Sequence, residues 1–285
     1  MTRDMDEILQ SPELQLQAKS PFELRVHLGR AVPDSDVRSA LASGEMGFLH
    51  SFTTGSTVDG PGVRVVAWTT GCQFRCLYCH NPDTWTLTNG IPVTLAKATE
   101  EIRKYKAGLK TMSGGFTLSG GEPLMQDRFA VKLFAAVKAM GIHTALDTNG
   151  ALGDRVSDEE LSRIDLVLLD IKNWNPEIHQ KLTGIELAPV LSFARRLAEL
   201  SRPVWLRYVL VPGYSDNLDD IGQLARFCQQ LGNIQRVDVL PFHQMGRFKW
   251  KSLNLDYALS EVQPPPHSLV EQACALFRAE GLKAF

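Results

Sequence analysis

Six apolar, β-branched runs recur along this chain with helical patterns between them, and that alternation limits the folds open to it. The runs fall at 63–69, 116–118, 142–147, 165–171, 203–211 and 234–240. Helices are predicted from the cap Thr94 to about 106, from Asp127 to 140 with Gly141 as the stop, from the cap Ser157, and over 176–182, 188–200, 217–231 and 267–280. Strands alternating with helices give a parallel sheet with right-handed crossovers, because each helix must carry the chain back along one face. A closed barrel of this kind takes about 250 residues and eight strands. Six strands therefore predict an α/β fold, a partial, open (β/α)6 barrel of TIM type, in a single domain over 47–285. Its open side would let a macromolecule reach the centre.

In such barrels the chemistry sits at the carboxyl ends of the strands, and here reactive or polar residues collect at all six. Cys72, Cys76 and Cys79 follow the first run, Ser119-Gly120-Gly121-Glu122-Pro123 the second, and Asp147-Thr148-Asn149 closes the third. The fourth ends in Asp170-Ile171-Lys172, the fifth carries Arg207, and the sixth leads to Pro241 and His243. Gly120 and Gly121 lack a Cβ and let the backbone approach a ligand closely, while Glu122 can meet a cation. Lys172, which alone would read as a surface lysine, stands beside Asp170 where it can pair with a ligand carboxylate. Asp147, Thr148 and Asp170 are oxygen donors suited to a hard cation, or else caps of the turns that follow.

Three of the five cysteines stand in Cys72-Gln73-Phe74-Arg75-Cys76-Leu77-Tyr78-Cys79-His80-Asn81, a C-x-x-x-C-x-x-C spacing just after the first strand. Iron-sulfur clusters usually take four thiolates, and the next cysteine, Cys228, lies far along the chain in a helical pattern. Three thiolates leave one iron without a protein ligand, and an open position separates a catalytic metal site from a closed structural one. Zinc with His80 as fourth ligand is the competing reading, but zinc loops usually present paired C-x-x-C units. Packing as small hydrophobes fits poorly beside Arg75, His80 and Asn81. Cys228 and Cys274 read as buried helix residues.

The cysteine loop is accompanied by His50-Ser51-Phe52, Thr57-Val58-Asp59-Gly60-Pro61-Gly62-Val63-Arg64, Asp83-Thr84-Trp85, Leu146-Asp147-Thr148-Asn149-Gly150, Trp205-Leu206-Arg207-Tyr208-Val209 and Leu240-Pro241-Phe242-His243. Together these resemble the radical S-adenosylmethionine superfamily and, within it, the family of pyruvate formate-lyase activating enzymes, over about 47–285. The resemblance implies a 4Fe-4S cluster held by Cys72, Cys76 and Cys79, with S-adenosylmethionine chelating the fourth iron. It implies a site for that cofactor at Tyr78, Cys79, His80, Gly121, Glu122, Asp170, Ile171, Lys172 and His243, and a monovalent cation near Asp147, Thr148 and Asp170. Asp59, Arg207 and His243 would then bind a protein substrate, pyruvate formate-lyase, which loses a hydrogen atom from a glycine Cα. Flavodoxin or ferredoxin would supply the electron. Taken singly, Asp59 would be a turn residue and His243 structural. Related activases carry eight further cysteines in a ferredoxin-like insert; Cys228 and Cys274 cannot hold a second cluster, which favours the pyruvate formate-lyase partner over those of other activases. A radical enzyme acting on a small molecule and a plain electron carrier are the alternatives.

A net charge of -2 gives no nucleic-acid or membrane footprint. No apolar run approaches the roughly 18 to 20 residues of a membrane helix. Asp4, Asp6 and Glu7 stand where a signal peptide would be apolar, and clustered cysteines suit a reducing compartment. A cytoplasmic monomer is the expectation. Residues 1–46 fall outside the resemblance, and Pro12, Pro21 and Pro33 interrupt their helical spacing. They are predicted to be a flexible or loosely docked extension; a partner-binding segment and a start at Met46 are the other readings.

Overall fold

The computed structural model describes Glu23–Leu24 and Asp34–Phe285, so the predicted extension lies largely outside the described residues. The chain forms two compact units. One runs to Cys72 and includes Thr84–Asp147 and Arg155–Asp165; the other comprises Gln73–Asp83, Thr148–Asp154 and Leu166–Phe285.

The first unit contains β1 (Glu23–Leu24), α1 (Asp34–Ser43), β2 (Met46–Ser56), β3 (Arg64–Thr69), β4 (Ile91–Thr94), α2 (Leu95–Arg103), α3 (Lys106–Thr111), β5 (Gly115–Gly120), α4 (Asp127–Ala139), β6 (His143–Thr148) and α5 (Asp158–Leu161). β3, β5 and β6 pair in parallel, with Val66 beside Thr117 and Thr117 beside Ala145. Thr94 and Ser157 cap α2 and α5 as predicted, Ser157 in a full capping box with Glu160. α4 presents Phe129, Ala130, Leu133, Phe134 and Val137 to the core, the spacing of a helix with one apolar stripe.

Two expectations change here. The turn formers of 54–62 suggest a loop leading into the first strand, yet β2 runs through to Ser56, antiparallel to β3, and also pairs with β1 and β4. Register shifts between Leu49 and Ser51 and between Thr54 and Ser56 break the two-residue alternation that marks a strand in sequence. The helix expected to run to about 106 divides into α2 and α3.

The loop between β2 and β3 is held by a buried cation. Arg64, fully buried, donates to Thr117 Oγ1 at 3.0 Å, Phe116 O at 2.6 Å and Pro61 O at 3.3 Å, while the Thr117 hydroxyl donates to Asp59 O at 2.6 Å. Gly115 makes room for it, since a Cβ there would lie 2.1 Å from Arg64 Nη1. Burial lowers the guanidinium pKa to about 10, although Asp59 and Asp165 pull the other way. The ion therefore stays charged and must keep its acceptors.

The second unit contains β7 (Leu166–Asp170), α6 (Pro176–Thr183), α7 (Ala188–Glu199), β8 (Val204–Leu210), α8 (Leu218–Leu231), β9 (Ile234–Pro241), α9 (Arg247–Ser252) and α10 (His267–Ala279). β7, β8 and β9 are parallel, with Leu169 beside Leu206 and Leu206 beside Val237. β8 buries Val204, Leu206, Tyr208 and Leu210 and turns Trp205, Arg207 and Val209 to its other face. Asn175 and Asn217 cap α6 and α8, which stop at Gly184 and Gly232 in the left-handed conformation (φ +79° and +72°). Cys228 and Cys274 are buried on α8 and α10, as predicted. The six parallel strands expected are present, three in each unit. Among the described residues no helix is long and apolar enough to cross a membrane.

Arg64→Met keeps the bulk but takes the guanidinium hydrogen bonds from Thr117 Oγ1, Phe116 O and Pro61 O. It is expected to cost about 3 kcal/mol, read as a lower denaturation midpoint at unchanged slope.

Candidate active site

The cysteine loop has almost no regular structure, so its backbone polar groups must find partners elsewhere. In the second unit, Arg75 N donates to Thr183 O at 2.7 Å and Leu77 N to Leu182 O at 3.0 Å. These acceptors are carbonyls in the last turn of α6, where a helix leaves its C=O groups unpaired. Cys79 N closes a turn onto Cys76 O at 3.0 Å. Phe74 meets the buried His179 ring edge to face at 5.9 Å. His179 Nδ1 lies 3.0 Å from Ile185 O, which makes Nδ1 the protonated nitrogen and leaves Nε2 a buried acceptor without a partner among the described residues. Burial pushes this imidazole down to about 4.

The far end of the loop is clasped by the segment after β9. Trp250 Nε1 donates to Cys79 O at 2.8 Å, and Lys249 Nζ reaches Asn81 Oδ1 at 2.8 Å and Asp83 Oδ2 at 3.0 Å. Gly246 lies so close that a Cβ would stand 2.6 Å from His80 Cα. The His80 and His243 rings lie 4.2 Å apart, tilted by 32°, with His80 Nε2 3.2 Å from His243 O. Burial lowers the His80 pKa.

Beside the loop, Lys172 Nζ pairs with Asp170 Oδ2 at 2.9 Å and sits 5.7 Å from the centre of the Tyr78 ring. Burial opposes the ammonium charge, but Asp170, Tyr78 and Cys76 outweigh it and raise the Lys172 pKa. Tyr78 is buried with no partner for its hydroxyl among the described residues, and burial lifts its pKa well above the usual phenol value. The Cys76 thiol, also chiefly through burial, rises to about 12. Ile171 is buried between Asp170 and Lys172, and Arg207 lies beside Asp170 in the β7–β8 register. Thr148 Oγ1 accepts from Gly150 N at 3.0 Å, a turn-capping bond.

In the first unit the predicted residues act locally. Gly121 N donates to Thr69 O at 2.9 Å and Glu122 N to Gly71 O at 2.7 Å, so the Gly-Gly-Glu turn braces the backbone that leads to Cys72. A Cβ at Gly121 would lie 2.4 Å from Gly71 O, which explains the glycine. Cys72 N is held by Trp85 O at 3.1 Å. Glu122 is buried and its carboxylate caps Leu124 N at 3.0 Å. Asp147 accepts from Ser119 Oγ at 2.7 Å. Asp59 is only 6% exposed, and its Oδ2 accepts from Ser56 Oγ at 2.5 Å.

Within the second unit, then, Cys76, Tyr78, Asp170 and Lys172 form one cluster and His80 and His243 a stacked pair. Sequence reasoning missed His179, Gly246, Lys249 and Trp250. The run Phe248-Lys249-Trp250 soon after His243 was a signal, but α9 is too short for a period to show.

Cys72, Cys76 and Cys79 are half-buried thiols outside any disulfide. Three thiols with no fourth cysteine in the loop, and a buried ammonium tied to Asp170 beside Cys76, fit a 4Fe-4S cluster and an anionic co-ligand.

Gly246 has an ordinary helical φ of -80°, so alanine there is penalised only by its contact with His80. Gly246→Ala is expected to strain the loop by about 1 to 3 kcal/mol and to lower the iron and sulfide bound per chain after anaerobic reconstitution. His179 supplies a pH test. Between pH 6.5 and about 4 the unfolded chain binds a proton there that the folded chain excludes, so stability falls as pH drops through that window. Urea titrations of His179→Gln should lack that share of the acid slope.

Comparison with known proteins agrees with this chemistry. Residues 66–228 match the radical SAM superfamily. The pyruvate formate-lyase-activating enzyme of Staphylococcus epidermidis is 45% identical over 234 residues, which are 80% of this chain and 93% of that protein. A solved domain of a pyruvate-formate lyase-activating enzyme from Bacteroides vulgatus aligns with a TM-score of 0.51 at 26% identity, over 60% of this chain and 98% of its own. A radical SAM methyltransferase from Sphaerobacter thermophilus aligns over 100% of this chain and 84% of its own, with a TM-score of 0.58 at 19% identity, a likeness of fold alone. The fold is thus the partial α/β barrel of these enzymes, and the chain belongs to the radical SAM superfamily and, within it, to the family of pyruvate formate-lyase-activating enzymes.

Proposed function

We propose that this chain switches on pyruvate formate-lyase in anaerobic cells by creating a glycyl radical on it. The carrying observation is the half-buried three-cysteine loop, clamped at both ends, with the Lys172–Asp170 pair beside it. Cys72, Cys76 and Cys79 would hold the 4Fe-4S cluster. Bound there, the reduced cluster would supply the one electron that breaks the C5'–S bond of S-adenosylmethionine, giving methionine and the 5'-deoxyadenosyl radical that takes the glycine Cα hydrogen.

The chain's own residues bind and orient. Lys172, charged and already tied to Asp170, offers its ammonium to the carboxylate of S-adenosylmethionine. Tyr78 and Ile171 keep water from that pair, which strengthens it. His80, whose charged form burial disfavours, stacks on His243, and the two rings form a flat wall for an aromatic or cationic group. Arg207, beside Asp170, is the residue we assign to the protein substrate, together with His243 and Asp59. A cytoplasmic monomer that draws its electron from flavodoxin or ferredoxin completes the reading.

The test is anaerobic. The reconstituted, reduced protein is mixed with S-adenosylmethionine and pyruvate formate-lyase, and the EPR spectrum is recorded beside a 5'-deoxyadenosine assay. A glycyl-radical signal rising with 5'-deoxyadenosine is expected. Cleavage without that radical points to another substrate, and no cleavage at all defeats the reading. Lys172→Met should raise the KM for S-adenosylmethionine at least about tenfold, the worth of one charge-assisted hydrogen bond.

A further inference from the structure

The chain holds cysteines for one cluster only, so each electron must come from outside. The segment that clasps the cluster loop also carries an unusual outer surface. Met245 is 76% exposed and Phe248 67%, large apolar side chains turned to solvent within four residues of one another. Between and after them stand Arg247 and Lys251, both exposed and neither paired with a carboxylate among the described residues. From Gln244 to Leu255 there is no acidic residue, in a chain whose net charge is -2. Lys249, the third cation of the run, is instead turned inward onto Asp83.

Isolated apolar side chains at a surface mean little, but methionine, an aromatic ring and arginine with a cationic rim are the composition of an interface. The segment is fixed, not mobile: Trp250 is bonded to Cys79 O, Lys249 to Asn81, and Gly246 is seated on His80. Gln244 Nε2 anchors its start by donating to Leu259 O, Ser260 O and Val262 O. α9 is six residues long, about 9 Å at 1.5 Å per residue. Whatever docks on its outer side therefore comes close to a cluster cysteine.

We propose that the outer face of Met245, Arg247, Phe248 and Lys251 is the docking surface for an acidic protein that carries one electron at a time. The carrier loses one electron and the cluster gains it, with no bond made or broken. Small, weakly held, electrostatically steered contacts are typical of such encounters. The inference rests on the radical-enzyme reading above.

The experiment uses the reconstituted holoenzyme and two double variants, Arg247→Glu with Lys251→Glu and Met245→Ser with Phe248→Ser. 5'-Deoxyadenosine formation is followed with reduced flavodoxin, with reduced ferredoxin and with dithionite. Expected is a fall of about tenfold or more in the rate supported by a protein donor, with its salt dependence flattened in the charge variant, while the dithionite rate stays within about twofold. Equal losses with dithionite would mean a structural role and overturn the proposal, as would no loss with either carrier, or a wild-type protein that only dithionite reduces. In a parallel EPR assay with dithionite and pyruvate formate-lyase, a loss confined to the glycyl radical would give the surface to the protein substrate and overturn it too. Because the readout is 5'-deoxyadenosine, the outcome stands apart from whether pyruvate formate-lyase is the substrate.

Discussion

Two backbone hydrogen bonds, from Arg75 N to Thr183 O and from Leu77 N to Leu182 O, hold the cysteine loop to the end of α6. A loop that carries a large inorganic group cannot satisfy itself with strand or helix ladders, because its side chains must be free to point at the group. The free carbonyls at a helix end are a ready supply of acceptors. α6 is in turn stopped by Gly184 and steadied by Thr183, whose hydroxyl bonds His179 O at 2.8 Å and Ile185 O at 3.1 Å. The buried, neutral His179 fills the space under Phe74 without introducing a charge. The end of α6 thereby sets the position of Cys76, and Trp250 on α9 that of Cys79.

Charge is arranged around the loop with equal economy. Burial alone would neutralise Lys172 and keep Cys76 and Tyr78 protonated. Asp170 reverses the first of these, and the result is a fixed cation in a region of low polarity, where a ligand carboxylate would be worth more than in water. His80 and His243 are kept stacked by the His80 contact to the His243 carbonyl. In the first unit the buried Arg64 plays the corresponding part for the Asp59 loop, with its charge retained and its donors satisfied by Thr117, Phe116 and Pro61.

Much of this was legible in the residues. The alternation of strands and helices, the caps Thr94 and Ser157, the stop at Gly141 and the strand that carries Arg207 all follow from short-range rules of period and capping. β2 was not legible, because its bulges hide the strand period and its partners come from three separate parts of the sequence. From the sequence Glu122 is a residue to meet a cation, and the fold adds a local task, the capping of Leu124 N. Asp59, similarly, is largely covered by its own loop.

The sequence by itself determined the cysteine spacing, the polar residues at the strand ends and the family, since each depends on residue identity along a short stretch or on similarity along the whole chain. Only the tertiary structure decided which residues support them. Trp250 meets Cys79, Lys249 meets Asn81 and Asp83, and Thr183 meets Arg75 across separations of more than a hundred residues, and no local pattern encodes such pairings. They arise because buried or constrained polar groups must be matched by whatever the fold brings alongside.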